Sequence, residues 1–238
     1  MGVKNVPKAD STHICQAITS LMTERYEDSW RSKVVAVGCD GASVLLGSKN
    51  GVVQKLREEL DNPYIHAIHC SAHRLELAYK DAVKKLSTAT HQKCEALLLN
   101  LYLFYKYSSL NRANLMLSYN SLGIKSKVPT RVGGTRWLPH TKLALTNLSY
   151  GYDAIVQHLE QLQNPGDAAS RKDSAAKAKS FLKLLTDKNM QLWFPFLLDV
   201  VVCLSMASEA IQKENSTLAD IWNELESAKT ILQKYKRS

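Results

Sequence analysis

The sequence predicts a fold in two parts, an α/β region followed by an all-α region. Two short apolar runs, at residues 34–37 and 64–69, lie between stretches whose apolar residues recur every three or four positions. That arrangement is typical of strands alternating with helices. After about residue 90 only helical periodicity remains. Apolar residues make up 45% of the 238 and charged residues 22%, which excludes low-complexity disorder for most of the chain.

The first region alternates helix and strand. Its predicted elements are a helix at 10–30, a strand at 34–37, a helix at 50–60, a strand at 64–69 and a helix beginning at Ser71. Asp10 or Ser11 can cap the first helix, and Asn62-Pro63 ends the second. Four consecutive apolar residues favour a first strand that is covered on both faces and parallel to its neighbour. The inward face of the third helix is expected to be formed by Ala72, Leu75, Ala78 and Val83.

The second region is predicted to be entirely helical. Its helices are expected at 92–120, 138–163, 172–187, 190–213 and 217–236, with loops at 121–135 and 164–166. The longest apolar stretch, Leu192 to Ala207, contains Pro195 and Asp199 and is shorter than the roughly 20 residues of a membrane span. We therefore interpret it as a buried core helix and expect no membrane partner.

Three segments follow from these patterns: a disordered tail at 1–9, a partial α/β region at 10–90 and a helical domain at 91–238. Two strands are too few for a free-standing α/β sheet, which usually has about four or more. We therefore expect either that further strands lie outside this chain or that the sheet needs a partner to cover its edges.

The five cysteines are odd in number and contain no Cys-x-x-Cys pair. Reduced thiols in a nuclear or cytoplasmic protein are the simplest explanation, and we expect the nucleus with the cytoplasm as the alternative. The sequence contains no P-loop and no dinucleotide-binding fingerprint.

The net charge of +9 is concentrated in one part of the chain. Residues 91–147 contain eight Lys and Arg and one acidic residue, and no acidic residue lies between Glu95 and Asp153. The cations of this acid-free segment are Lys106, Arg112, Lys125, Lys127, Arg131, Arg136 and Lys142. The aromatic residues among them are Tyr102, Tyr105, Tyr107, Tyr119 and Trp137. Cations interleaved with aromatic rings suit a nucleic-acid backbone with exposed bases, whereas the alternative is a solvated basic face beside core tyrosines.

Asp40 is the first candidate site residue. It lies with Gly41 directly after the first predicted strand, where α/β sheets place their ligands. The carboxylate could face a hard cation, or it could cap the turn that follows.

Two further motifs carry chemistry. Cys70 and His73 lie three residues apart where the second strand meets a helix, and they could bind a metal or serve a structural role. Zinc needs three or four ligands, so this pair alone is insufficient. Arg136 and Trp137 follow a Gly-Gly pair at a helix start. Arg136 could grip a phosphate and Trp137 could stack on a base, or Trp137 could be a core anchor.

Taken together, the ordered motifs resemble the hAT superfamily of DNA transposases, especially its domesticated zinc-finger-fused vertebrate descendants. The matching stretches, in order, are Asp40-Gly41-Ala42-Ser43, Gly47 with Gly51-Val52, His69-Cys70-x-x-His73-Arg74-Leu75-x-Leu77-Ala78 and Thr135-Arg136-Trp137. The resemblance implies an RNase H-like core interrupted by a helical insertion domain. It also implies that Asp40 is the second of three carboxylates that hold two Mg²⁺ ions, and that Trp137 supports a flipped base near the cut.

The resemblance also implies an incomplete Mg²⁺ site. The first Asp of the family should precede residue 1, and its Glu should follow residue 238. One carboxylate cannot hold two hard cations firmly, so we expect Asp40 to be vestigial and the chain to use no cofactor and bind no metal. The chain could be a natural product or a partial gene model.

The predicted function is therefore weak, non-specific DNA binding without catalysis. The expected contacts come from Arg112, Lys125, Lys127, Arg131, Arg136 and Trp137, with Cys70 and His73 as a structural motif. One alternative is a protein-interaction module in transcription or protein modification without DNA contact. The other is an enzyme completed by a subunit that supplies two carboxylates.

Overall fold

A computed structural model describes residues 3–86, 89–133, 137–164, 166 and 171–236. The chain is mostly helical, with 71% helix and two short parallel strands in the described part. It divides into two compact units, residues 1–77 and 78–238, and the boundary falls within one helix. Each unit is described separately.

In its described residues, from residue 3 onward, the first unit contains three helices, two strands and the start of a fourth helix. Its elements are α1 (Ser11–Tyr26), a 3-10 turn (Arg31–Lys33), β1 (Ala36–Cys39), α2 (Ser43–Leu46), α3 (Val52–Glu59), β2 (His66–His69) and the start of α4 (Ser71–Leu86). Asp10 caps α1 as predicted, since its carboxylate accepts a hydrogen bond from the His13 backbone N–H at 2.9 Å. The predicted helices at 10–30 and 50–60 are therefore present in shorter form.

The two strands are parallel, with Ala36 opposite His66 and Cys39 opposite His69. The core of this unit lies where α1 and α3 meet, at Cys15, Val52 and Leu56, with Val37 of β1 packed against it.

The prediction of a first strand covered on both faces is wrong. Regular pairing begins at Ala36, and Val35 is 72% exposed. The helices of this unit cover the strand at Val37 and leave Val35 in solvent, so the apolar run does not mark a fully buried strand.

The second unit contains the end of α4 and seven further helices among the residues described. These are α5 (Ala89–Lys106), α6 (Ser109–Ser121), α7 (Trp137–Tyr150), α8 (Tyr152–Gln161), α9 (Lys172–Leu185), α10 (Lys188–Gln212) and α11 (Leu218–Tyr235). The core is lined by leucines, with two fully buried tyrosines, Tyr105 and Tyr119. The Tyr105 hydroxyl lies 3.1 Å from Nδ1 of the fully buried His158, so the polar atoms face each other inside the bundle.

Two predicted helices are each divided in two. The expected helix at 92–120 breaks at Ser108, whose hydroxyl accepts a hydrogen bond from the Asn111 backbone N–H and so begins a new helix. The expected helix at 138–163 breaks at Gly151, where an added Cβ would overlap the Tyr119 hydroxyl. Apolar periodicity reveals neither break, because the first depends on a side-chain hydrogen bond and the second adjoins a ring from α6.

The inward face predicted for α4 is also offset. Ala72 is buried as predicted, but Ala78 is exposed and the buried positions that follow are Glu76 and Tyr79. The ring of Tyr79 packs against Trp137, with centroids 5.6 Å apart, which fixes this face of the helix.

The helix α10 contains the apolar stretch and packs against α5, α7 and α11. Among the described residues it is the one helix long and apolar enough to cross a membrane, with a mean hydropathy of 1.8. This hydropathy is the mean over an 18-residue stretch of the helix, and only 33% of that stretch is buried inside the protein. The expectation of a buried core helix therefore holds for part of its surface.

Candidate nucleic-acid interface and strand-end motif

Asp40 lies at the carboxyl end of β1, exposed to solvent. Its Oδ1 accepts a hydrogen bond from the Ala42 backbone N–H at 3.0 Å. This contact is the turn-capping role that the sequence left as an alternative. It occupies one carboxylate oxygen with the backbone of the turn.

Gly41 is required at the next position for two reasons. Its φ of +85° is in the left-handed region, which favours glycine, and an added Cβ would overlap the imidazole of His69. His69 ends β2, and its Nε2 is buried without a hydrogen-bond partner in the described structure. The turn after β1 thus closes directly over the end of β2.

Cys70 and His73 join the end of β2 to the start of α4. The Cys70 backbone N–H donates to the Cys39 carbonyl at 2.7 Å, which extends the pairing of the strands by one residue. The His73 ring lies 5.8 Å from the ring of His69. No three His, Cys, Asp or Glu side chains are grouped for a metal ion anywhere in the described residues.

Trp137 is the first residue of α7 and is half-buried. Besides its contact with Tyr79, its ring has the Lys80 ammonium 5.8 Å from its centroid. These contacts are those of an anchor within the helical unit. Arg136 was predicted to bind phosphate and lies outside the described residues.

The described part of the connection between α6 and α7 presents the predicted cations in a segment without regular secondary structure. From Ile124 to Thr130 exposed and less exposed residues largely alternate, so Lys125 and Lys127 point outward, as Arg131 does further on. The segment is fixed by the Tyr119 hydroxyl, which donates to the Lys127 carbonyl at 2.6 Å. Arg112 is exposed on α6.

Aromatic rings accompany several of these cations. The Lys127 ammonium lies 4.4 Å from the centroid of the Tyr150 ring. The Lys106 ammonium lies 5.3 Å from the centroids of both Tyr102 and Tyr107, and Tyr107 is 76% exposed. Cations and accessible rings are therefore adjacent at the surface, as a nucleic-acid binding face requires.

Lys106 stays charged in this setting. The hydrogen bond that it donates to Tyr102 raises the pKa of its ammonium, while the positive charge of Arg131 acts in the opposite direction. The influence of Arg131 shows that the two cations are close enough to interact. Lys106 and Arg131 therefore bring the end of α5 and the connection between α6 and α7 into one basic surface.

Lys106 was not among the predicted contact residues, although its signal is present in the sequence. Tyr102 precedes it by one helical turn and Tyr107 follows it directly. With one tyrosine a turn before it and another directly after it, Lys106 lies near both rings at the end of the helix.

Three other residues of the acid-free segment lie outside the candidate interface, and the two tyrosines among them follow the alternative of core tyrosines. Tyr105 and Tyr119 are fully buried and cannot stack on a base. Lys142 forms an ion pair with Glu209 of α10 at 3.2 Å, so an acid 67 positions away offsets its charge. We name the remaining described cations and rings the basic surface: Tyr102, Lys106, Tyr107, Arg112, Lys125, Lys127, Arg131 and Tyr150.

No protein-family model matches the chain, and no solved structure matches it.

Proposed function

We propose that the helical unit binds nucleic acid weakly and without sequence preference, through the basic surface. The observation that carries the proposal is the exposure of Lys106, Tyr107, Lys125, Lys127 and Arg131 in a stretch of chain without acidic residues. Cations on a flexible stem neutralise phosphates, and exposed tyrosines stack on unpaired bases irrespective of sequence. A nuclear location agrees with such a ligand, and the cytoplasm is the alternative.

We further propose that the chain descends from a hAT-type transposase and has no catalytic activity. The support is the order of its parts: two parallel strands, Asp40 at the carboxyl end of the first, a Cys-x-x-His element after the second, and helices beyond. In this proposal the first unit is part of an RNase H-like core and the helices form its insertion domain. Asp40 is a remnant of the metal-binding set, and its carboxylate now accepts a hydrogen bond from the Ala42 backbone N–H in the turn that follows.

The proposal is tested by charge reversal at two positions. Lys106→Glu with Arg131→Glu reverses two neighbouring cations and should reduce affinity for a fluorescent 30-base-pair duplex about tenfold or more, measured by anisotropy. Lys179→Glu with Lys183→Glu, two exposed lysines of α9, is the matched control with the same total charge change. Equal affinity of the double variant and the wild type would contradict the proposal.

The ligand class is resolved by a second substitution. Tyr107→Ala removes the most exposed ring of the basic surface and leaves its charge unchanged. We expect weaker binding of a single strand and little change for a duplex, because only unpaired bases can stack on the ring. Arg136→Ala belongs in the same series because the sequence predicts a phosphate contact for Arg136, and we expect weaker binding of both single strand and duplex.

A second candidate function is protein binding without DNA contact. The observation that favours it is the pair of unpaired outer edges of β1 and β2 in the described part of the sheet, with Ile68 52% exposed. An extended segment of another protein could pair with such an edge. The test is whether the chain forms a stable complex with another protein in nuclease-treated samples. If the Lys106→Glu with Arg131→Glu variant still forms that complex, protein binding is favoured over nucleic-acid binding.

A further inference from the structure

A cavity of about 650 Å³ lies between α5, α6 and α9 of the helical unit. Its volume is within the range of pockets that hold small organic ligands. Phe104 of α5 and Phe181 of α9 line it, and their largely buried rings meet edge to face with centroids 5.4 Å apart. One wall of the cavity is therefore aromatic and fixed by the packing of two helices.

Asn111 of α6 lines the same cavity, and only 3% of its surface is exposed. Its backbone N–H donates to the Ser108 hydroxyl, but its side-chain amide forms no hydrogen bond with any residue that the structure describes. A buried amide without a partner is unfavourable, because it has lost its hydrogen bonds to water. A ligand in the cavity that offers a donor and an acceptor satisfies this amide.

The charge of the lining argues for a neutral ligand. Asp173 and Lys177 of α9 line the cavity, and both are exposed. They contribute one charge of each sign, and the other lining side chains are neutral. The cavity therefore suits a flat ring with polar edges better than a phosphate, since aromatic side chains pack on the faces of a ring and an amide binds its edge. A nucleobase has this chemistry.

The open edge of the cavity adjoins the basic surface. Tyr107 lines the cavity and is 76% exposed, and the Lys106 ammonium lies 5.3 Å from the centroid of its ring. Arg112, which follows the buried Asn111 directly, is exposed. Cations that can bind phosphates thus lie beside the entrance, as the covalent link between a phosphate and its base requires.

We propose that this cavity receives an unpaired nucleobase of a strand held by the basic surface, an inference that rests on the proposed function. The Asn111 amide binds the edge of the base, and Tyr107 stacks on its face at the entrance. The Watson–Crick edge of every base carries a donor next to an acceptor, so the amide can hold any of them, in agreement with binding without sequence preference. A base that is paired in a duplex does not reach the cavity.

The test compares two single strands of equal length, one of about 15 deoxythymidines and one with the same backbone and no bases. Anisotropy with the full chain should show at least tenfold tighter binding of the strand that has bases. Ser180→Trp places a large side chain at the cavity without changing the charge. It should reduce the affinity for the thymidine strand to that for the abasic strand and leave duplex binding unchanged. Ser227→Trp, at an exposed position of α11, is the matched control and should bind both strands as the wild type does.

Asn111→Leu tests the amide itself, because leucine has a similar size and forms no hydrogen bond. Since the amide has no partner among the described residues, the variant should melt at the wild-type temperature or above it. It should nevertheless lose most of the preference for the strand with bases. A side chain that serves only the stability of the fold would not give this combination. A variant that keeps the full preference overturns the proposal.

The remaining outcomes separate this inference from the proposed function. Equal affinity of the wild type for the two strands, or an unchanged preference in Ser180→Trp, overturns the inference and leaves the proposed function standing if duplex and strands still bind. Failure of the proposed function is seen instead as no binding of the duplex or of either strand at 50 mM salt, and the inference then fails with it. Thymidine monophosphate that binds as tightly as the strand would assign the cavity to a free nucleotide and overturn the proposal.

Discussion

The thiols differ sharply in their surroundings, residue by residue. Burial raises the pKa of Cys15 to about 11, with the carboxylate of Glu59 adding to the effect, and burial raises the pKa of Cys94 to about 12. Burial also raises the pKa of Cys203. Cys70 is exposed and Cys39 is half-buried, and all five are free.

We therefore expect Cys70 to react first with a maleimide at about pH 8.5, where an ordinary thiol is half ionised. Cys39 should follow more slowly, and Cys15, Cys94 and Cys203 should react only after unfolding. Mass spectrometry of labelled peptides measures this order. Rapid labelling of Cys94 in the folded protein would contradict the described packing of α5.

Asp10 makes the stability of α1 depend on pH. The hydrogen bond from the His13 backbone N–H, together with the contact to the His13 ring, lowers the pKa of Asp10 to about 2. A carboxyl group whose pKa is lower in the folded state stabilises that state fully above its unfolded pKa of about 3.9. This contribution is lost as the pH falls from about 4 towards 2.

Asp10→Asn should remove this dependence, because the amide oxygen still accepts a hydrogen bond from the helix but does not titrate in this range. The measurement is the difference in melting temperature between wild type and variant at several pH values. We expect the wild type to lose more stability than the variant between about pH 4 and pH 2. Parallel curves would show that Asp10 does not cap α1 in its charged form.

At the scale of elements, the junction between α7 and α8 depends on a missing side chain. Gly151 lies between the two helices, and the Tyr119 hydroxyl occupies the space that a Cβ would fill. The same hydroxyl donates a hydrogen bond to the Lys127 carbonyl. The position of Tyr119 at this junction therefore also fixes the segment that carries Lys125 and Lys127.

Gly151→Ala should destabilise the helical unit by about 1–3 kcal/mol, because the added methyl group displaces Tyr119 from its hydrogen bond. Urea unfolding followed by circular dichroism measures the change. Gly38→Ala is the control, since a Cβ at Gly38 has no atom within 4 Å. The interpretation fails if both variants unfold at the same urea concentration as the wild type.

Two helices with a continuous apolar face are observed close to their predicted bounds. The helix at 172–187 is observed as Lys172–Leu185, and the one at 217–236 as Leu218–Tyr235, where Thr217 and Asp220 form a capping box. Helix breaks at Ser108 and Gly151 were missed because one depends on a side-chain hydrogen bond and the other on a ring from a distant helix.

The candidate site was predictable to a similar degree. The absence of acidic residues between Glu95 and Asp153 is a property of the sequence alone, and it indicated the basic surface. The burial of Tyr105 and the pairing of Lys142 with Glu209 depend on how α5, α7 and α10 pack. Contacts between residues far apart in sequence cannot be read from spacing, so the sequence left open whether the tyrosines of this segment are exposed rings or core residues.

At the scale of the whole molecule, we expect nucleic-acid binding without strand cleavage. Asp40 holds its own turn, and the described residues contain no group of three metal-binding side chains around it. We expect purified chain to leave supercoiled plasmid intact with Mg²⁺ or Mn²⁺, and Asp40→Asn to behave like the wild type. Metal-dependent nicking that Asp40→Asn abolishes would show that the site is completed by further carboxylates.

The central claim is that exposed cations of the helical unit bind a polyphosphate backbone, and its salt dependence tests this most directly. About five described cations are available, so the affinity for an unrelated duplex should fall roughly 10²–10³-fold between 50 and 200 mM salt. Lys106→Glu with Arg131→Glu should flatten that slope. A wild-type affinity that does not change with salt, or no measurable binding at 50 mM, would contradict the claim.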